Sequence, residues 1–297
     1  MFQSPVAPKE HDRFPYSAIV DRPPLRWPNG ARVAVWVIPN IEHFLFDRPA
    51  TRNTDSGLNL NPDVLNYSWR DYGVRVGIWR MIDLLDRLGM PASVNLNSEV
   101  CRHYPQIIEA GVQRGWAWLG HGKTNSIMQA GMDIHEERAF LREMHAEVQQ
   151  ATRTSPKGWL GPALTETFNT PALLAELGYT YVMDWCNDDQ PFPLNVPGMI
   201  SVPYSMDIND ITLFVGRNLS GDDYVRAVVD TLDQLIEDSD PDNGRVMALP
   251  VHPFVVNTPS RHRYLARALQ EISERDEVWV TTSDAIADHY IATREDT

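Results

Sequence analysis

Three ionisable side chains each follow a short apolar run: Glu42 after Ile38-Pro39-Asn40-Ile41, His121 after Trp118-Leu119-Gly120, and His252 after Leu249-Pro250-Val251. A carboxylate and two imidazoles are groups that give and take protons near neutral pH. The glycines beside His121 let backbone or ligand approach closely. Pro253 fixes the turn after His252 and so holds that imidazole rigidly. Other polar residues stand at similar run ends: Asn40, Asn97-Ser98-Glu99, Asn125, the stretch Asp184 to Asp189, Tyr204, and Asp207 to Asp210. Asp189 is expected to steer His252 or to bind substrate N–H groups. Trp159 and Trp185 are the two indoles expected at a ligand, with Asn125, Asn40 and Tyr204 as further binding residues. Glu42, His121 and Asn125 are all legal ligands for a divalent ion, although an amide suits zinc poorly and no His-Glu-x-x-His is present. The expected cofactor is therefore none, or one weakly held divalent metal such as zinc.

These residues can meet only if the runs that precede them are parallel strands ending on one side. Helix-like and strand-like stretches alternate along most of the chain. Ala31–Ile38 reads as a strand covered on both faces. Val74–Leu88 reads as a helix ending at Gly89, followed by a strand at Ala92–Leu96, a helix near Gln106–Gln113 and a strand at Trp116–Leu119. Helices at Glu136–Gln150, Thr170–Leu177, Asp222–Glu237, Arg261–Ile272 and Asp284–Ile291 alternate with strands at Gly158–Leu160, Tyr179–Met183, Ile200–Pro203, Val246–Val251 and Val278–Thr281. Such alternation implies parallel βα units, seven or eight of them, and fits a (β/α) barrel better than an open doubly wound sheet. Chemistry in such barrels sits at the carboxyl ends of the strands. Residues 1–30, rich in proline, read as an extended arm, and 31–297 as one barrel domain. Residues 44–68 show no period and read as a loop of the kind that forms a lid, a binding loop or a contact between subunits.

Composition narrows the function classes. The chain has 297 residues, 43% hydrophobic and 22% charged, as soluble globular domains do. Lys and Arg total 26 against 40 Asp and Glu, a formal net charge of −14 that repels phosphate backbones. No nucleic-acid or membrane partner is expected. The two cysteines, Cys101 and Cys186, supply no disulfide framework. The first twenty residues, broken by Pro5, Pro8 and Pro15, contain no apolar targeting core, so a cytoplasmic location is expected.

A family likeness runs through the same residues. Trp27-Pro28-Asn29-Gly30, Asn40-Ile41-Glu42, Gly120-His121-Gly122, Gly158-Trp159, Asn187 to Pro191, Val202 to Asp210, His252-Pro253 and Val278-Trp279-Val280 come in the order and spacing of the polysaccharide deacetylase (NodB-like) superfamily. The chain most resembles the branch of cofactor-independent allantoinases and cyclic imidases. The resemblance implies a distorted (β/α)7 barrel, a homotetramer and hydrolysis of a C–N amide bond. The metal-binding members carry an Asp-Asp pair and two histidines four apart. Here those places read Asn40-Ile41-Glu42-His43 and His121 with Asn125, so two of the three ligands that the resemblance implies are altered. This favours ring-opening of a small cyclic amide, imide or ureide. Glu42 is then the base (or a metal ligand), His121 orients water or stabilises the oxyanion, and His252 protonates the leaving nitrogen. The alternatives are a metal-dependent N-deacetylase of carbohydrate or peptidoglycan, and an inactive binding protein on the same fold.

Overall fold

The computed structural model describes residues 11–48 and 61–295. Among the described residues nine strands make one sheet: β1 (Val33–Ile41), β2 (Ser93–Leu96), β3 (Ala117–Gly120), β4 (Gly158–Trp159), β5 (Tyr181–Val182), β6 (Phe192–Pro193), β7 (Ile200–Ser201), β8 (Arg245–Val251) and β9 (Val278–Thr281). Successive side chains of a strand point to opposite faces. In β1, Val33, Val35, Val37 and Ile41 join one buried cluster, and Ala34, Trp36 and Ile38 join another. The continuous apolar run in the sequence encodes this two-sided burial.

The first cluster holds the apolar faces of eight helices, so it is the layer outside the sheet. Among the described residues these helices are α1 (Val64–Tyr72), α2 (Ile78–Leu88), α3 (Ser98–His103), α4 (Pro105–Gln113), α5 (Ile134–Thr152), α6 (Thr170–Glu176), α7 (Gly221–Glu237) and α8 (His262–Ser273); a ninth, α9 (Ser283–Glu295), turns its buried side chains to the other cluster. The second cluster lies inside the curl. It gathers Leu119, Leu160, Tyr181, Met183, Val202, Val246 and Ala248, together with Leu25, Trp27 and the α9 residues Ile286, Ala287 and Tyr290. Trp27 donates its Nε1–H to the Arg245 carbonyl at the start of β8, so the apolar plug sits at the end away from the strand carboxyl termini.

The sheet runs β6-β7-β5-β4-β3-β2-β1-β8, all parallel except the edge strand β6. That path holds seven parallel strands, an α/β half-barrel in a single domain. β9 pairs with the lower half of β1, on residues Val33 to Trp36, while β2 pairs with Asn40 and Ile41. The described part of the arm does not stand free. Leu25 bridges to Asn243, and Arg22 grips Asp188 through two hydrogen bonds of 2.7 and 2.6 Å.

Some elements depart from the sequence reading: α3 and β6 are not in it, and residues 64–68, read as the end of a loop, begin α1, capped by the Asp63 side chain on the Asn66 N–H at 3.2 Å. The apolar pattern is inverted in this helix: Asn66 and Arg70 are buried, while Val64 and Leu65 are exposed. No apolar period was there to read. Residues 49–60 of the expected loop lie outside the described residues, as do residues 1–10 of the arm.

A π-helical turn, Gly73–Gly77, joins α1 to α2 and presses on the segment after His252. A Cβ on Gly77 would lie 2.1 Å from the Pro253 carbonyl oxygen, and one on Gly73 would lie 3.0 Å from the Phe254 nitrogen. Glycine is what allows this backbone-to-backbone contact. Gly77→Ala is expected to destabilise the fold by about 1–3 kcal/mol, as overpacking does. The measurement is the denaturant midpoint, and an unchanged midpoint would contradict the close approach.

Candidate active site

Strand alternation continues past the strand ends and aims three side chains into the curl. On β1 the inward series Trp36, Ile38, Asn40 leads to Glu42; on β3 Leu119 leads to His121; on β8 Val246 and Ala248 lead, by way of Pro250, to His252. Glu42 is 8% exposed, His121 3% and His252 5%. Glu42 Oε1 lies 3.5 Å from His121 Nε2 and 3.7 Å from His252 Nε2. Residues from three distant parts of the chain thus converge on one carboxylate.

Hydrogen-bond logic fixes the polarity of the surroundings. The His43 backbone N–H is a donor and meets Asn97 Oδ1 at 2.9 Å. Asn97 Nδ2 therefore faces the other way, donating to the His121 carbonyl and to Asn125 Oδ1 at 2.9 Å. That leaves Asn125 Nδ2 to donate to Glu42 Oε1, at 2.5 Å. The Leu160 carbonyl can only accept, so His121 Nδ1, 2.6 Å away, carries hydrogen. His252 is held twice by one carboxylate: Asp210 Oδ2 accepts its backbone N–H at 2.7 Å, and Asp210 Oδ1 lies 2.6 Å from Nδ1.

Charges follow from these contacts. Burial by itself would raise the Glu42 pKa. The His252 charge, with His121 and Arg70 beside it, outweighs burial and holds it below the ordinary range. Burial would likewise lower the His252 pKa, but Asp210 and Glu42 prevail and raise it. Burial raises Asp210, with His252 opposing. The two shifts are mutual: each group favours the charged form of the other.

An amide suits zinc poorly, and Asn125 is already engaged: it turns its N–H to Glu42 and accepts from Asn97, so Glu42, His121 and Asn125 are arranged as part of a hydrogen-bond network. Among the described residues no group of three His, Cys, Asp or Glu side chains is arranged to hold a metal ion.

Several expected site residues stand elsewhere. The Asp189 carbonyl accepts the Val246 N–H at the start of β8, six residues before His252. At about 3.3 Å per residue this is roughly 20 Å from that imidazole, and Asp210 takes the steering place instead. Trp159 is 0% exposed and faces the outer cluster, edge-on to Tyr179, because it is one residue out of phase with the inward Leu160. Trp185 is half-buried against Phe14, ring centroids 5.0 Å apart. Asn40 ties strands together: its Nδ2 donates to the Ile38 and Val251 carbonyls and its Oδ1 accepts from Asn95. Tyr204 is buried in the inner cluster and accepts from Asn209. Burial raises its pKa, and the Asp210 and Glu42 charges push the same way. A cleft of about 1110 Å³ lies apart from the triad, lined by Phe14, Asp188, Asp189, Tyr204 and Tyr290 among others.

Three contributors are given no role by the sequence reading: Asp210, Asn97 and Arg70. Asn97 and Asp210 are visible as polar residues after apolar runs, and Asp210 also as part of the stretch that carries the family likeness. Arg70, buried with its guanidinium 4.4 Å over the Phe44 ring, sits on the inverted helix α1 and gave no signal.

Comparison with known proteins places this geometry. Residues 67–182 match the polysaccharide deacetylase family. A putative polysaccharide deacetylase of Schizosaccharomyces pombe is 25% identical over 299 residues, covering 90% of this chain and 92% of that protein. The crystal structure of the PuuE allantoinase superposes with a TM-score of 0.80 at 25% identity, over 94% of this chain and 98% of that one. A probable polysaccharide deacetylase from Pseudomonas aeruginosa PAO1 gives 0.79 at 24% identity, over 94% and 98%.

Asp210→Asn removes the charge that opposes desolvation of His252. The His252 pKa, read by NMR titration of its ring protons, is expected to fall relative to wild type. An unmoved titration would mean that Asp210 does not set it.

Proposed function

From its similarity to the polysaccharide deacetylase (NodB-like) superfamily, a family of C–N hydrolases, we propose that this protein opens a small cyclic amide, imide or ureide by attack of water, without a metal. The observation that carries this reading is the Glu42 carboxylate set between two imidazoles while Asn125 spends its amide on Glu42 and Asn97. The similarity to an allantoinase over nearly the whole chain supports the ring substrate.

Each group has one task. His121, with hydrogen on Nδ1, presents the Nε2 lone pair and accepts one hydrogen of the water, which orients it. Glu42 removes the other proton as the water oxygen bonds to the carbonyl carbon. The His252 imidazolium steadies the negative charge that develops and then gives its Nε2 proton to the ring nitrogen as the C–N bond breaks. The products are a carboxylic acid and an N–H on one opened chain, and the proton on Glu42 returns to solvent or to His252. A ring amide with a good leaving nitrogen needs less polarisation than a plain acetamide, so this site suits the former.

N-deacetylation is the second reading, favoured by the family that residues 67–182 match and by the description of the fission-yeast relative. A hydrolysis screen of allantoin, hydantoin, succinimide and dihydrouracil, alongside N-acetyl sugars and with and without chelator, separates the two. Ring opening that persists with chelator is expected; chelator-sensitive acetate release would select the second reading. With the substrate found, Glu42→Gln and His252→Ala are each expected to lower kcat by about 10²–10⁴-fold. The kcat/KM profile is expected to be bell-shaped. Glu42 must be ionised, so activity falls with acid only below the ordinary glutamate value of 4.5. His252 must be protonated, so activity falls with alkali above the ordinary histidine value of 6.5. Near-normal rates in both variants would show that the triad is not the reacting site.

A further inference from the structure

The peptide group between Leu160 and Gly161 touches the triad on one side and a second carboxyl on the other. Its carbonyl accepts the His121 Nδ1–H at 2.6 Å. Its N–H donates to Asp184 Oδ1 at 2.7 Å. The two ends belong to one planar, resonance-coupled unit, so a hydrogen bond at one end orients and polarises the other.

Little freedom is left to this peptide. The Leu160 N–H is fixed to the Gly120 carbonyl at 3.0 Å, and the Leu164 N–H returns to the Gly161 carbonyl at 2.8 Å. Ala163 and Leu164 hold φ of 54° and 55°, a left-handed turn without glycine. A Cβ on Gly161 would lie 2.2 Å from the Thr165 carbonyl oxygen.

Behind Asp184 stands Glu166. Asp184 Oδ2 and Glu166 Oε1 are both buried with no donor among the described residues, although the two carboxyls are hydrogen-bond neighbours. Two ionised carboxylates would only repel; one proton between them supplies the missing donor. Burial, reinforced by Glu166, pushes Asp184 well above the ordinary carboxyl range. Neither residue takes part in the acid–base steps above.

We infer that Asp184 is a positioning residue for His121: it grips the Gly161 N–H and, through the Leu160 carbonyl, fixes the ring orientation and the Nδ1–H tautomer of that imidazole. A neutral acid that accepts one bond and donates another is mimicked by asparagine, whose amide does both. Alanine does neither. The kinetic consequence rests on the water-orienting role proposed for His121, whereas the tautomer does not.

The test compares Asp184→Asn with Asp184→Ala in the full-length protein, by ¹⁵N NMR of the His121 ring and by kcat and KM. The asparagine variant is expected to keep the protected Nδ1–H and a kcat close to wild type. The alanine variant is expected to lose that protection, populate the Nε2–H tautomer, and lose about 10-fold in kcat at unchanged KM, as removal of an outer partner does. Should it fail to fold, Asp184→Leu keeps the volume without the acceptor and reads the same resonances. A His121 tautomer unchanged in a folded variant without the acceptor would overturn the inference, as would an asparagine variant that falls as far as alanine. A shifted tautomer in a protein inert toward every ring amide would uphold the inference and remove only the proposed substrate class.

Discussion

A carboxylate withdrawn from water keeps its charge only if other groups replace the water. Glu42 is in that position, and the structure around it is arranged to meet the demand. His252, His121, the Asn125 amide and the Arg70 guanidinium together outweigh desolvation. Buried networks of this kind are costly when incomplete, so every member has to be held. The holding ends in backbone atoms: Asn125 is oriented by Asn97, which is oriented by the His43 N–H, and His121 is oriented by the Leu160 carbonyl. A site that ends in backbone inherits the rigidity of the sheet.

That dependence explains the local irregularities near the mouth of the curl. One π-helical turn, Gly73–Gly77, lies against the backbone after His252, and a second, Ile211–Gly216, begins directly after Asp210. A π turn widens a helix by one residue and changes where the next side chain is aimed. The two turns flank the imidazole that is the proposed acid. Behind the other imidazole, the left-handed turn at Ala163 and Leu164 returns the chain so that Asp184 and Glu166 come together.

The fold was legible wherever burial follows a local period. Val33 to Ile38 and Val246 to Val251 are apolar because both faces of those strands are covered, and they read as strands, as does the half-buried run Val278 to Thr281. The helix ending at Gly89 was legible from its apolar stripe and its left-handed glycine, at φ 63°. Helix α1 was not, because it turns Asn66 and Arg70 inward and Val64 and Leu65 outward, to serve a polar site. Trp159 was misplaced for a related reason: an indole at a strand end suggests a ligand, but strand phase sends it to the opposite face from Leu160.

The sequence by itself determined the class of fold, the strand ends at which chemistry could stand, and the types of the groups proposed to react: Glu42, His121 and His252. All of these are properties of a single run of residues and the one that follows it. Only the tertiary structure decided that Asp210, and not Asp189, supports His252, that Asn125 turns its amide to Glu42, and that Asp184 meets the peptide whose carbonyl holds His121. Such pairings join residues tens of positions apart. Their partners are set by how far each strand is staggered against its neighbour and by where each loop returns, and these are lengths and angles in space that spacing along a chain does not record.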